Sequence, residues 1–209
     1  MVYLPPHFTE TDEAVLLDHI ERHDFGLLIT GGATGPGELI ASQVPFLAER
    51  RDGKLFLLGH LARPNPQVAA LEAGGEALTI FQGPHAYISP SWYEAGPAVP
   101  TWNYASVHAY GASRAITDRD WLNDLLRRLS ERHEAREAVP WRMQDQPEAF
   151  LKGMLGGIVG FEIAVDRLEG KFKLSQNRPA GDRPRIIAAL ERRADPESAA
   201  VADLMRKMD

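Results

Sequence analysis

Between residues 25 and 116, strand-like segments follow one another with a single short helix among them, and this order restricts the fold more than any other feature. FGLLIT (25–30) and ELIASQVPFL (38–47) flank the turn cluster GGATGPG (31–37) and read as a hairpin. RDG (51–53) turns the chain into KLFLLGH (54–60). EALTIFQG (76–83) and HAYISP (85–90) read as two strands parted by Gly83-Pro84, and TWNYASVHAYGASRAI (101–116) as one long strand with a bulge or bend at Gly111. A parallel sheet needs a long crossover, usually a helix, between strands. The order here lacks that alternation. It predicts an antiparallel barrel, mainly β or α+β, with helices packed outside it.

Periodicity places the helices. TDEAVLLDHIERH (11–23) carries Val15, Leu16, His19 and Ile20 on one face. PNPQVAALEAG (64–74) opens on proline and closes on glycine. Thr117 and Asp118 start a helix to about 135 with Trp121, Leu122, Leu125, Leu126 and Leu129 on one face, and a second short helix covers 145–155. Residues 157–175 alternate Val159, Phe161, Ile163 and Val165 and read as one strand or two. RPRIIAALERR (183–193) and PESAAVADLMRKM (196–208) are helical. The expected organisation is a barrel domain over 1–180 with a helical insertion at about 117–155. A helical extension, 181–209, packs on the same domain.

Composition removes several functions. The chain has no cysteine, so disulfides, thiolate nucleophiles and Cys-based metal sites are excluded. The seven histidines show no metal-binding spacing. The apolar runs are too short for a membrane helix, and MVYLPPHFTE is not a secretory leader, which together fit a cytoplasmic protein. The net charge of −6 argues against a wholly basic nucleic-acid surface. Residues 167–193 nevertheless hold Arg167, Lys171, Lys173, Arg178, Arg183, Arg185, Arg192 and Arg193 against Glu169, Asp182 and Glu191. A local basic segment in an acidic chain suits DNA, a phosphate-bearing small molecule, or a solvated surface of scattered ion pairs.

Three segments carry candidate chemistry. HLARPNPQ (60–67) follows a strand and opens a helix, where free N–H groups, the guanidinium of Arg63, and the donors His60 and Asn65 can receive a phosphate. The same residues also suit ordinary capping, with Arg63 in solvent. IFQGPHAYISPSWYEAGPAVPTWNY (80–104) holds six aromatic residues and four prolines. Trp92 or Trp102 can border a flat heteroaromatic ligand, with Ser89, Ser91, Thr101 and Asn103 as its few polar partners. A plain core with a stiff proline loop fits as well. In KFKLSQNR (171–178), alternation puts Lys171, Lys173 and Ser175 on one face and Phe172, Leu174 and Gln176 on the other. With Asn177 and Arg178 this strand end can clamp an anion, or simply face solvent.

YLPPHF (3–8), IASQVPFL (40–47), GHLARPNPQ (59–67), IFQGPHAYISPSWY (80–93), VPTWNYASVHAYG (99–111), PW (140–141), MLGGIVGFEI (154–163) and EGKFKLSQNR (169–178), in this order, resemble the PaiB family of FMN-binding negative transcriptional regulators. The likeness covers about residues 1–190. Gln43 stands where that family often has histidine, and Pro64 where it usually has alanine. The resemblance implies a split β-barrel of the pyridoxine phosphate oxidase type with peripheral helices. It also implies a homodimer with FMN at the subunit interface. Arg63 becomes the first choice for the FMN phosphate, with His60 and Asn65 beside it. Ser89, Trp92, Thr101 and Asn103 are expected to line the flavin, and Lys173, Ser175, Gln176 and Arg178 to complete the site from the second subunit. The implied role is negative regulation of transcription, either through DNA contact by the 167–193 segment or through flavin or redox sensing. A flavin-dependent oxidoreductase, or a barrel holding haem or another flat ligand, are the alternatives.

Overall fold

The computed structural model describes residues 1–32, 38–94 and 96–208. The predicted turn cluster at 31–37 lies mostly outside them. The chain divides into two compact units. The first comprises residues 1–19, 82–108 and 169–209, and the second 20–81 and 109–168.

The second unit contains strands β2 (Phe25–Gly31), β3 (Leu39–Pro45), β4 (Leu47–Arg51) and β5 (Lys54–Ala62). It also takes part of the long strands β6 (Glu76–Ile88), β7 (Thr101–Ile116) and β8 (Ile158–Lys173). Their order is β3-β2-β6-β7-β8-β5-β4. β2 pairs antiparallel with β3 and with β6, β4 with β5, and β5 with β8. The expected 25–30/38–47 hairpin is present, from Phe25↔Pro45 to Gly31↔Leu39. Its second strand is shorter than predicted, because β3 ends at Pro45 and Leu47 begins β4. Asp52 and Gly53 close the β4–β5 hairpin with φ of 51° and 79°. Asp-Gly suits that left-handed two-residue turn.

Phe46 packs edge-on against Phe81 and Phe161, with ring centroids 5.4 and 5.8 Å apart, and all three are fully buried. Leu122, Leu125 and Leu129 of helix α3 (Arg119–Glu134) are buried, and Leu125 and Leu129 join Leu47 and Leu58 in one cluster. Asp118 caps this helix by accepting the Trp121 N–H at 2.8 Å. Gly111 marks a close backbone approach: a Cβ there would lie 2.0 Å from the Ala164 carbonyl oxygen. Helices α2 (Gln67–Ala73) and α4 (Glu148–Gly156) also belong to this unit.

In the first unit, β1 (Thr9–Glu10) pairs antiparallel with β8 through Thr9↔Lys171 and Glu10↔Gly170. Helices α5 (Asp182–Arg192) and α6 (Pro196–Lys207) bury Ile186, Leu190, Val201 and Met205. Helix α1 (Glu13–Arg22) buries Leu16, His19 and Ile20 as expected, while Val15 faces solvent.

The break predicted at Gly83-Pro84 is absent, since β6 runs through it. The sequence signal there has a different meaning. Buried positions fall on Ala77, Thr79, Phe81 and Gly83, then shift by one to Pro84, Ala86 and Ile88. The extended φ that proline fixes is compatible with a strand, and the dipeptide changes which side chains face inward.

Candidate functional site

The predicted residues fall in both units. His60, Arg63 and Asn65 belong to the second; the other eight belong to the first.

In the second unit, Ala62 ends β5 and its carbonyl accepts the Asn65 N–H at 2.9 Å. Asn65 Oδ1 accepts the Gln67 N–H at 2.9 Å, and its Nδ2 donates to Ser42 Oγ at 3.0 Å. Asn65 therefore shapes the turn into α2, whose N-cap is Pro66 and which has only seven residues. Arg63 is exposed but fixed: Nε donates to the Gly156 carbonyl at 2.9 Å and Nη2 to the Ile158 carbonyl at 3.0 Å. Its backbone N–H donates to Gly157 at 2.8 Å. The guanidinium has five N–H donors, so this bracing leaves part of the fork for an anion. His60 Nδ1 is buried without a hydrogen-bond partner, and burial lowers the imidazole pKa, which keeps the ring neutral. Arg63 is thus a fixed cation at this corner, and its guanidinium suits a phosphate group such as that of FMN.

In the first unit, Thr101, Asn103, Lys173, Ser175 and Arg178 line one cavity of about 460 Å³. The sequence had put these five forward from two segments some seventy residues apart. Its other walls are Phe8, Tyr93, Pro97, Ala98, Val99 and Asn177. No Asp or Glu is among the described residues that line it.

Each polar group is held from behind. Lys173 Nζ donates to the Thr101 hydroxyl and, at 2.6 Å, to the Trp102 carbonyl. Burial, and then the neighbouring ammonium of Lys171, lower its pKa. Asn103 is fully buried; its Nδ2 donates to Ser175 Oγ at 2.9 Å, and Ser175 Oγ lies 3.1 Å from Asn103 Oδ1. Strand alternation does not place Ser175 as predicted, because β8 ends at Lys173 and Ser175 is left-handed with φ 64°. The bond to Asn103 is what aims its hydroxyl.

Arg178 donates from Nε at 3.0 Å and Nη2 at 2.6 Å to Asp182 Oδ2, and its guanidinium lies 3.9 Å over the Tyr93 ring. Asp182 Oδ1 accepts the Glu94 N–H at 2.8 Å. That bond and the Arg178 guanidinium hold the carboxyl below its usual range. Asp182 was missed as a site residue. Its spacing of four from Arg178 on the way into a helix was the available signal. Phe8 and Tyr93 were quoted only within motifs.

Ser89, Trp92 and Gln176 do not line the cavity. Ser89 Oγ accepts the Ser91 N–H at 3.3 Å and caps the 3-10 turn Pro90–Trp92. Arg193 lies 4.8 Å over the Trp92 ring. Gln176 folds back, its Nε2 donating to the Phe172 carbonyl at 2.6 Å and its Oε1 accepting the Leu174 N–H at 2.7 Å.

The model of a family described as "Putative FMN-binding domain" matches residues 2–167. The chain belongs to that family. It is 35% identical over 204 residues to "Protease synthase and sporulation protein PAI 2" of Bacillus subtilis, covering 98% of this chain and 96% of that protein. An uncharacterized protein of Emericella nidulans is 32% identical, with 99% and 97% covered. Among solved structures, the FAD and heme binding protein of Mycobacterium smegmatis aligns with a TM-score of 0.56 at 17% identity, over 87% of this chain and 79% of that one. The flavocytochrome Anf3 of Azotobacter vinelandii aligns with a TM-score of 0.55 at 12% identity, over 81% and 72%. At such identities the likeness establishes the fold, which is the split-barrel kind expected, with peripheral helices. FMN is the cofactor of the family, and the PaiB relationship expected from the motifs holds. Among the described residues, no helix is long and apolar enough to cross a membrane.

Proposed function

We propose that this chain is a cytoplasmic, FMN-dependent flavoprotein that acts on or senses a small molecule, and that any effect on transcription is indirect. One observation carries the choice: the basic segment is engaged within the protein. Arg178 is paired with Asp182, Arg185 with Glu94, and Arg183 with the carbonyls of Leu174 and Met205. Arg193 bonds the Tyr87 carbonyl, Arg167 lies over Tyr110, and Lys171 is buried near the rings of Tyr3 and Tyr104. Salt-dependent DNA binding requires cations free to displace counterions along a phosphate backbone. Few of these are.

In this reading Arg63 anchors the flavin phosphate, with the neutral ring of His60 nearby in sequence. Bound FMN supplies the electron chemistry, while the protein supplies binding, orientation and electrostatics. The molecule works as a homodimer with the cofactor at the subunit interface. The apolar surface that Trp102 and Val99 expose in the first unit, 52% and 76% accessible, supports that assembly.

The deciding experiment records the visible spectrum after FMN loading and desalting, beside Arg63→Ala, and measures mass by light scattering. Retained flavin bands that are lost in the variant, on a dimer, are expected. A colourless wild type sinks the flavin reading. Tight binding of a cognate promoter that weakens steeply with salt restores direct regulation.

A further inference from the structure

The first unit's cavity, whose residues were expected at the flavin, has a lining that also suits a small anion. Two cations line it, Lys173 and Arg178, and no carboxylate among the described residues does, although the chain carries a net charge of −6. Lys173 donates to a hydroxyl and a carbonyl and lies 5.8 Å over the Phe8 ring, and among the described residues no carboxylate is paired with it. Arg178 is paired with Asp182, which locks the plane of its fork. The apolar part of the lining is Phe8, Pro97, Ala98 and Val99.

Stacking surface for a three-ring flavin is scarce. Of the two aromatic rings in the wall, Tyr93 already has a face covered by Arg178. Trp92 lies outside the cavity. The lining suits a compact ligand with an anionic head and an apolar body.

We propose that this cavity binds a small organic anion, a carboxylate or phosphate ester on an aromatic or short aliphatic body, as the second reactant or effector of the flavoprotein. Lys173 takes the anionic head, the Arg178 guanidinium held by Asp182 adds positive charge beside it, and Phe8 and Ala98 hold the body. The ligand's role rests on the flavoprotein reading, but its binding does not require the flavin, so the two fail separately.

Calorimetric titration of the full chain with benzoate, phenyl phosphate and benzamide tests the site, with FMN retention measured on the same samples by absorbance. Either anion is expected to bind at least tenfold tighter than benzamide. The preferred one separates a carboxylate from a phosphate site. Lys173→Gln is expected to weaken the anion tenfold or more while keeping the thermal transition and the bound FMN. Ala98→Trp, at a partly buried wall position, is expected to block the anion by filling the cavity, and covers the case in which the lysine variant misfolds.

Equal affinity for benzamide overturns the proposal, as does an unchanged titration in both variants. Loss of FMN together with the anion in Lys173→Gln also overturns it, because the cavity would then be the flavin's own phosphate site. Anion binding that obeys the variants in a chain unable to hold FMN upholds the site and removes the flavoprotein reading instead.

Discussion

In the second unit Glu162 gathers two arginines, whereas in the first unit Asp182 holds one and leaves the cavity's lysine without an acid. Glu162 accepts Arg51 Nη2 at 2.5 Å and Arg114 Nη2 at 2.6 Å, and Arg51 also meets Glu49 at 2.9 Å. Burial alone would raise the Glu162 pKa, but the bonds from Arg51 and Arg114 outweigh it and hold the carboxyl low. The charges of that cluster answer one another, and Glu49 also meets Arg128 at 2.7 Å, as befits a clamp between strands. Asp182 and Arg178 also form a closed pair, but Lys173 lies outside it. Charge left unanswered in a concave, partly apolar place is what separates a binding cavity from a structural ion pair.

The largest expected effect breaks the clamp. Glu162→Gln leaves two guanidinium groups facing a neutral amide, and losing one side of a buried ion pair is strongly destabilising. Arg51 and Arg114 remain 38% and 68% exposed, so water recovers much of the loss. A net cost of about 2 kcal/mol is expected as a shift of the urea midpoint, with anion binding in the first unit unchanged. An unmoved midpoint would mean that Glu162 is dispensable and that the contrast between the units is false.

Next in size is Asn103→Ala. It removes a fully buried amide and leaves Ser175, in a left-handed conformation, without its partner. A loss of roughly 1–2 kcal/mol is expected by thermal melting, together with weaker anion binding, because the Ser175 wall of the cavity is no longer held in place. A drop in stability with binding intact would make Asn103 a core residue only.

Acid weakens the hold of both carboxylates, as it does that of Asp124 and Asp195. Both folded-state pKa values are depressed, so the unfolded chain binds more protons as pH falls. Their stabilisation is fully present above the unfolded values of about 4 and is lost as pH drops through the folded ones. The midpoint difference between wild type and Glu162→Gln is therefore expected to shrink below pH 4. A difference that stays constant to pH 2.5 would show that the carboxylate is not held by its arginines.

The sequence made the strand order readable because each strand carries its own period of two, and the Asp52-Gly53 turn and the Asp118 cap are local chemistry. Pairing that depends on distant residues was less legible. The separation of β3 from β4 follows from Phe46 turning into a core built with Phe81 and Phe161, which no local pattern states. The same limit applies to the candidate site. Thr101, Asn103, Lys173, Ser175 and Arg178 stood out by residue type, and their convergence is tertiary. Ser89 and Gln176 look identical in sequence to binding residues, yet a 3-10 turn and a strand end engage them locally.

The smallest expected effect tests how far the first unit's charge network extends. Arg185 meets Glu94 at 3.1 Å with both side chains more than half exposed. Such pairs contribute up to about 0.5 kcal/mol and fade with salt. The Glu94 backbone is held independently, since its N–H donates to Asp182 rather than to Arg185. Arg185→Ala is therefore expected to shift the urea midpoint by less than about 0.5 kcal/mol and to leave anion binding unaltered, while Asp182→Asn, which loosens both Arg178 and Glu94, weakens the anion measurably. If the two variants weakened it equally, the cavity would be governed by the summed surface field of the α5 arginines. Arg178 and Lys173 would then lose their standing as its specific anchors.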